Sequence, residues 1–275
     1  MSDAEAPSWK ERMAVALARD IADGDRVICG AHTEISFAAA MLAQKMHAPN
    51  VKLQLGGTCF LVNVTDIPVQ LPKTSMDYRM LRWAEVAYDH METFMYFGAP
   101  GGGAYYKGDR PPTNKYFVGD HFFTGGIQAD VWGNANLIGL RGEGKPYAFR
   151  GPGTVGVADI VTVKSPYIFL THHDRKRLVE QVDYISMPGP RGWRENGYPG
   201  LGPKWIITPK AIFTFGSDDR AQLWGTFADV TVEDVRETTG FEVRLAEDYA
   251  EIPEPTGEEL GVLRGEIDPA GMLRE

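Results

Sequence analysis

Glu34, Gln128 and Asn134 are the side chains whose type and setting could do chemistry in this sequence. Glu34 follows a short apolar strand, Arg26 to Gly30, and opens a helical stretch. There it can interact with a helix dipole, or serve as an acid–base group at a strand's carboxyl end. Gln128 and Asn134 belong to the run Gly125-Gly126-Ile127-Gln128-Ala129-Asp130-Val131-Trp132-Gly133-Asn134-Ala135-Asn136. Together with Asn136 they put several amide donors near one turn, which suits an oxyanion or a carboxylate and suits a plain turn equally. A glycine-rich run, Gly151-Pro152-Gly153-Thr154, can bring backbone N–H groups close to an anion or be a tight turn before the next strand. The fourth segment, His172-His173-Asp174-Arg175-Lys176-Arg177, reads as a solvated basic turn. Adjacent histidines on an extended chain diverge, so the pair does not suggest a metal site.

The elements that must position these groups follow from periodicity. Ala14, Leu17, Ala18 and Ile21 fall at helical spacing within Trp9 to Ala22, and Asp23-Gly24-Asp25 ends that helix. A strand over Arg26 to Gly30, a helix from Ile35 to Met46, the His47-Ala48-Pro49-Asn50 stop and a strand over Val51 to Leu55 come next. This alternation predicts an α/β fold: an open, mostly parallel sheet flanked by helices. Trp83, Val86, Ala87 and His90 suggest a helix within Asp77 to Phe97. Residues 98–112, rich in Gly and Pro, read as an insertion. Strands are expected at Lys115 to Val118, Gly126 to Ala129, Ile160 to Val163, Tyr167 to Thr171, Arg177 to Asp183 and Ile206 to Phe215. A helix over Val232 to Thr239 starts at Thr231, with Asp234 in its first turn. The tail, 251–275, carries a helix from about Thr256 to Arg264, expected to pack on the surface of a single domain spanning 1–275.

Composition narrows the function classes. The chain has 275 residues and a net charge of −9, with no basic stripe for nucleic acid. An anionic small ligand remains compatible, because amide nests bind phosphate whatever the net charge. No apolar run approaches the roughly 18 residues of a membrane span. The polar, acidic start, Met1 to Lys10, is not a signal peptide. Cys29 and Cys59 form neither a metal motif nor a disulfide framework, and His32, His47, His90, His121, His172 and His173 show no zinc spacing. A reduced, cytoplasmic protein without a bound metal or cofactor is the expectation.

Five runs in register resemble the beta subunits of glutaconate-type transferases in the family I coenzyme A transferase superfamily. They are Gly126 to Asn136, Phe149-Arg150-Gly151-Pro152-Gly153, His173 to Ile185, Thr239-Gly240-Phe241-Glu242-Val243 and Gly265-Glu266-Ile267-Asp268-Pro269. The resemblance covers about Ile21 to Gly271, apart from the glycine-rich stretch after Phe97. It implies an open α/β fold and a partner alpha subunit of the same fold, in a heterodimer or heterotetramer, with the active site at their junction. It also implies a coenzyme A thioester as substrate. Transferases of this kind carry a glutamate at the end of the strand after the His-Ala-Pro-Asn-like turn, where it becomes a glutamyl-CoA thioester. Here that position is Gly56, followed by Gly57, and glycine cannot be a nucleophile.

The departure makes the chain look more like the beta-type component of the related heteromeric hydrolases that open steroid rings as CoA thioesters. Those also lack the glutamate, and the loop after Gly30 is similarly long. On that reading Glu34, Gln128 and Asn134 are the candidate catalytic residues. Gly56, Gly57, Asn136, Gly151, Gly153 and Thr154 would line the substrate or CoA. Two alternatives stand beside it: a transferase subunit in which another carboxylate replaces the missing one, and a non-catalytic scaffold that completes the partner's site.

Overall fold

The computed structural model describes residues 5–30, 34–55, 60–62, 70–71, 78–87, 119–154, 163–198 and 200–275. The chain divides into two compact units, Met1–Tyr88 with Ile252–Glu275, and Asp89–Glu251.

In the first unit, α1 (Trp9–Asp20) begins at a capping box. Ser8 accepts from the Glu11 N–H, and the Glu11 carboxylate accepts from the Ser8 N–H. Met13 through Ala18 are all buried, so the helix is apolar on more than one stripe. A turn with Gly24 in the left-handed region leads into β1 (Arg26–Cys29). Then come α2 (Glu34–Met46), β2 (Lys52–Leu55), β3 (Phe60–Val62), a 3-10 turn (Tyr78–Trp83) and β4 (Ala84–Ala87). β1 and β2 pair in parallel, with Cys29 beside Leu55, while β2–β3 and β3–β4 are antiparallel. Cys29 hydrogen-bonds Ser36 of α2, and burial pushes its thiol pKa up to about 12. That contact marks the face of β1 that α2 covers.

Of the helix expected within Asp77 to Phe97, the described part forms a 3-10 helix over Tyr78–Trp83 and goes no further. Val86 and Ala87 instead lie in β4, because pairing with β3 satisfies a whole row of backbone groups and overrides helical spacing.

The second unit runs β5 (Gly119–Gly125), β6 (Gln128–Asp130), β7 (Ala135–Asn136), β8 (Gly139–Gly142), β9 (Lys145–Arg150), β10 (Val163–Phe169) and β11 (Leu178–Val179). A short helix, Pro190–Glu195, precedes β12 (Trp205–Ile207), β13 (Ala211–Phe215) and β14 (Ala221–Thr226). Helix Val232–Thr238, with its Thr231–Asp234 capping box, leads to β15 (Arg244–Glu251). The larger sheet of this unit has the order β15-β14-β13-β12-β10-β5. β5, β10 and β12 are mutually parallel at one end, β12-β13-β14 form an antiparallel meander, and β15 joins β14 in parallel. Aromatic rings cross this sheet in a row: Phe123 on Tyr167 at 5.0 Å, Tyr167 on Trp205 at 5.5 Å, and Trp205 on Trp224 at 5.2 Å. A three-stranded sheet, β11-β6-β7, and the β8–β9 hairpin are separate.

The chain then returns to the first unit. Helix Gly257–Val262 starts at a Thr256–Glu259 capping box and buries none of its own residues. The expected surface helix is therefore present, but the tail beyond it is not peripheral. Leu263, Ile267 and Leu273 are fully buried, and Arg264 pairs with the buried Glu11 at 2.8 Å. Residues 98–112, the expected insertion, lie outside the described residues.

Candidate functional site

Gln128, Asn136, Gly151 and Gly153 come together in one knot of the second unit. β6 and β7 pair Gln128 with Asn136 directly. The Asn136 Nδ2 donates to Gln128 Oε1 at 2.7 Å and to the Gly139 carbonyl at 2.8 Å, while its Oδ1 accepts from the Ile138 and Gly139 N–H groups. Gln128 Oε1 also accepts from the Asp183 N–H at 3.0 Å. Asn136 is fully buried, and its side chain ties β7 to β6 and to the start of β8.

The glycine run closes against the same turn. The Gly151 N–H donates to the Ile138 carbonyl at 2.8 Å, and the Gly153 N–H donates to the Leu137 carbonyl at 3.1 Å. A side chain at Gly151 would meet the Leu137 oxygen and the Ile127 side chain at 2.4 Å, and Gly153 sits at φ +89. Glycine is thus required at both positions, for close approach at one and for a left-handed backbone at the other. Arg150 adds a guanidinium that donates to the Ile138 and Gly151 carbonyls. Both glycine amides are consequently spent on the fold; Thr154, next in the run, is half-buried.

Asn134 belongs to a second, adjoining network centred on Asp130, which sequence reading passed over. Asp130 is buried and accepts from the N–H groups of Trp132, Asn134 and Val182 and from Asn134 Nδ2, at 3.0–3.2 Å. Burial drives its pKa above the ordinary aspartate value, against the opposing effect of Asn134 and the other donors. Asn134 Oδ1 accepts from the Gly189 N–H at 2.9 Å. Trp132, at the turn, lies between Arg191 and Arg220, 4.7 and 4.9 Å from its ring. The detectable signal was Asp130-x-x-x-Asn134 across Gly133, a pattern of short polar side chains around a left-handed glycine.

His173 departs from the expected solvated turn. It is buried, with Nδ1 2.8 Å from the Thr208 hydroxyl and Nε2 3.1 Å from the Thr239 hydroxyl. Burial, helped by the nearby Lys210 charge, pulls its pKa down to about 4. The rest of the segment, His172 and Asp174 to Arg177, behaves as a turn at the surface, with Asp174 accepting from the Lys176 and Arg177 N–H groups.

In the first unit, Glu34 is the first residue of α2 and sits 3.5 Å from the Lys10 ammonium. β1 and β2 bring their carboxyl ends side by side at Cys29 and Leu55. Gly56 and Gly57 lie outside the described residues. Gln54, one residue before that strand end, is buried, and its Oε1 has no hydrogen-bond partner among the described residues. In the sequence, Gln54 stands out only as a residue unable to act as a carboxylate nucleophile. Among the described residues, no three His, Cys, Asp or Glu side chains gather into a metal-binding group, and no helix is long and apolar enough to cross a membrane.

No family model matches the chain. The B subunit of glutaconate CoA-transferase from Acidaminococcus fermentans is 27% identical, over 94% of this chain and 92% of its own. The B subunit of 3-oxoadipate CoA-transferase from Pseudomonas knackmussii is 28% identical, over 94% and 92%. The cholesterol ring-cleaving hydrolase IpdB subunit of Mycobacterium tuberculosis is 25% identical, over 95% of each chain. Among solved structures, glutaconate coenzyme A-transferase from Acidaminococcus fermentans superposes with a TM-score of 0.75 at 24% identity, covering 98% of this chain and 97% of that one. The decarboxylase AibA/AibB superposes with a TM-score of 0.73 at 23% identity, covering 97% of each. Along nearly its whole length the chain is thus similar in sequence to CoA-transferase B subunits, and it shares the fold of the solved glutaconate coenzyme A-transferase.

Proposed function

We propose that the chain is the beta-type component of a heteromeric, cytoplasmic enzyme acting on acyl-CoA thioesters, and that the enzyme is a hydrolase opening a cyclic diketone by carbon–carbon cleavage. The observation that carries this reading is Gly56, in the run Lys52-Leu53-Gln54-Leu55-Gly56-Gly57, where the transferase pattern calls for a glutamate. Without that carboxylate this strand end cannot form an acyl-enzyme anhydride. Similarity to the ring-cleaving IpdB chain supports the hydrolase, and the relatives' nature as subunits supports an alpha-type partner. In the proposed reaction a water oxygen adds to one ring ketone and loses a proton to a base on the partner. The bond to the neighbouring carbon breaks, its electron pair is held as an enolate by the second carbonyl, and a proton returns to that carbon. A carboxylate and an open chain result. No resident cofactor is required for these steps.

The Gln128–Asn136 and Gly151–Thr154 segments would contact the acyl-CoA substrate, with Asn136 and the two glycines as their fixed frame. Glu34 would be a supporting carboxylate near the β1 end. A transferase is the second reading, favoured by the similarity to two transferase B subunits. Single-turnover incubation of the alpha–beta complex with acyl-CoA in ¹⁸O-water tests the choice. A hydrolase places one ¹⁸O in the new carboxylate and leaves both subunits at their own masses. A CoA adduct on a glutamate overturns the hydrolase. Unchanged rates on replacing Glu34, Gln128 and Asn134 would leave this chain a scaffold.

A further inference from the structure

Gln54 lies in β2 between apolar register partners on both neighbouring strands. Its parallel neighbour in register is Ile28 and its antiparallel neighbour is Leu61, both apolar residue types. Its residue is 2% exposed, and Oε1 is buried without any hydrogen-bond partner among the described residues. Successive strand residues face opposite sides, so Gln54 and Lys52 share a face, opposite to Leu53 and Leu55. Leu55 is the register partner of Cys29, which hydrogen-bonds α2. Gln54 therefore lies on the face of β2 turned away from that helix. A leucine or methionine of similar size would bury there without leaving a lone acceptor. Buried side-chain acceptors with no partner are uncommon and call for an explanation. The position is one residue before the carboxyl end of a strand in a parallel pair, where open α/β sheets bind ligands.

We propose that Gln54 is a specificity-determining residue whose Oε1 accepts a hydrogen bond from a hydroxyl on the acyl group of the CoA thioester. This rests on the acyl-CoA reading above and goes further, because it names a feature of the acyl chain. An amide oxygen can only accept, so the matching ligand atom must carry a proton. A hydroxyl group, including that of an enol or of a ketone hydrate, supplies one; a plain ketone or a methylene does not. A site with a buried acceptor discriminates against ligands that lack the donor, because the acceptor then stays unpaired.

The test is calorimetric titration of the alpha–beta complex with 3-hydroxybutyryl-CoA and butyryl-CoA, which differ by one hydroxyl. The wild-type complex should bind the hydroxyacyl ligand about tenfold more tightly. Gln54→Leu should bind both ligands equally, at the wild-type affinity for butyryl-CoA, and Gln54→Met serves if the leucine variant does not fold. Equal wild-type affinity for the two ligands overturns the proposal, as does discrimination that survives in either variant. Failure of both ligands to bind the wild-type complex would instead overturn the acyl-CoA reading itself.

Discussion

His173 makes the stability of the fold depend on pH in the acid range. Its folded pKa, about 4, is depressed from the model-peptide value of 6.5, chiefly by burial. Between those values the unfolded chain binds more protons, so stability is complete above about pH 6.5 and falls as the pH drops toward 4. The full loss is on the order of 3 kcal/mol. Urea unfolding at pH 7 and pH 4.5 should show it, and His173→Gln should flatten the difference. Asn136 and Glu34 separate structure from chemistry. Asn136→Ala leaves Gln128 Oε1 and the Gly139 carbonyl short of a donor in a buried network. It should cost about 2–3 kcal/mol of stability. Glu34→Gln removes only a half-exposed pair with Lys10 and should change stability by less than about 1 kcal/mol. A fall in kcat for that variant would therefore reflect chemistry.

Short helices in this protein are held by their ends. Ser8, Thr231 and Thr256 each complete a capping box with an acidic residue three positions on, and each was readable as a helix start or lay next to one. Thr231→Ala and Thr256→Ala should each cost about 1 kcal/mol, measured by chemical denaturation. The first helix has more at stake. Glu11, its capping carboxylate, is buried and meets Arg264 from the C-terminal segment through two bonds of 2.8 Å. Arg264→Ala strands that carboxylate without a counter-charge and should destabilise the protein by about 3 kcal/mol. The same loss in Arg264→Ala/Glu11→Ala as in the single variant would show that packing, and not the uncompensated charge, sets the cost.

For the whole molecule, the expectation is dependence on a partner. The chain purified alone should show no acyl-CoA turnover, and co-expression with an alpha-type partner should restore it as one species in light scattering. Gly56→Glu in that complex should not raise ring-opening hydrolysis, because glutamate adds a bulky anion where the chain carries no side chain. Turnover of the isolated chain at the rate of the complex would remove the partner from the mechanism.

The sequence by itself determined the alternation of the first 55 residues, the capped helix at Val232 and the resemblance to a family. These depend on spacing, caps and glycine–proline punctuation between near neighbours, which a linear sequence records. It also named Gln128, Asn136, Gly151 and Gly153 as candidate site residues, which the structure brings together. What it left open was whether those amides face a ligand or one another. That depends on contacts such as Gly153 with Leu137 and Asn134 with Gly189, across separations that periodicity does not register. Long-range contacts likewise turned Val86 and Ala87 into a strand and drew His173 into the core between Thr208 and Thr239. They also left Gln54 with a buried oxygen and no donor among the described residues. Local chemistry fixes where an element can begin and end; only the packing of distant segments decides which polar groups are already satisfied and which still await a partner.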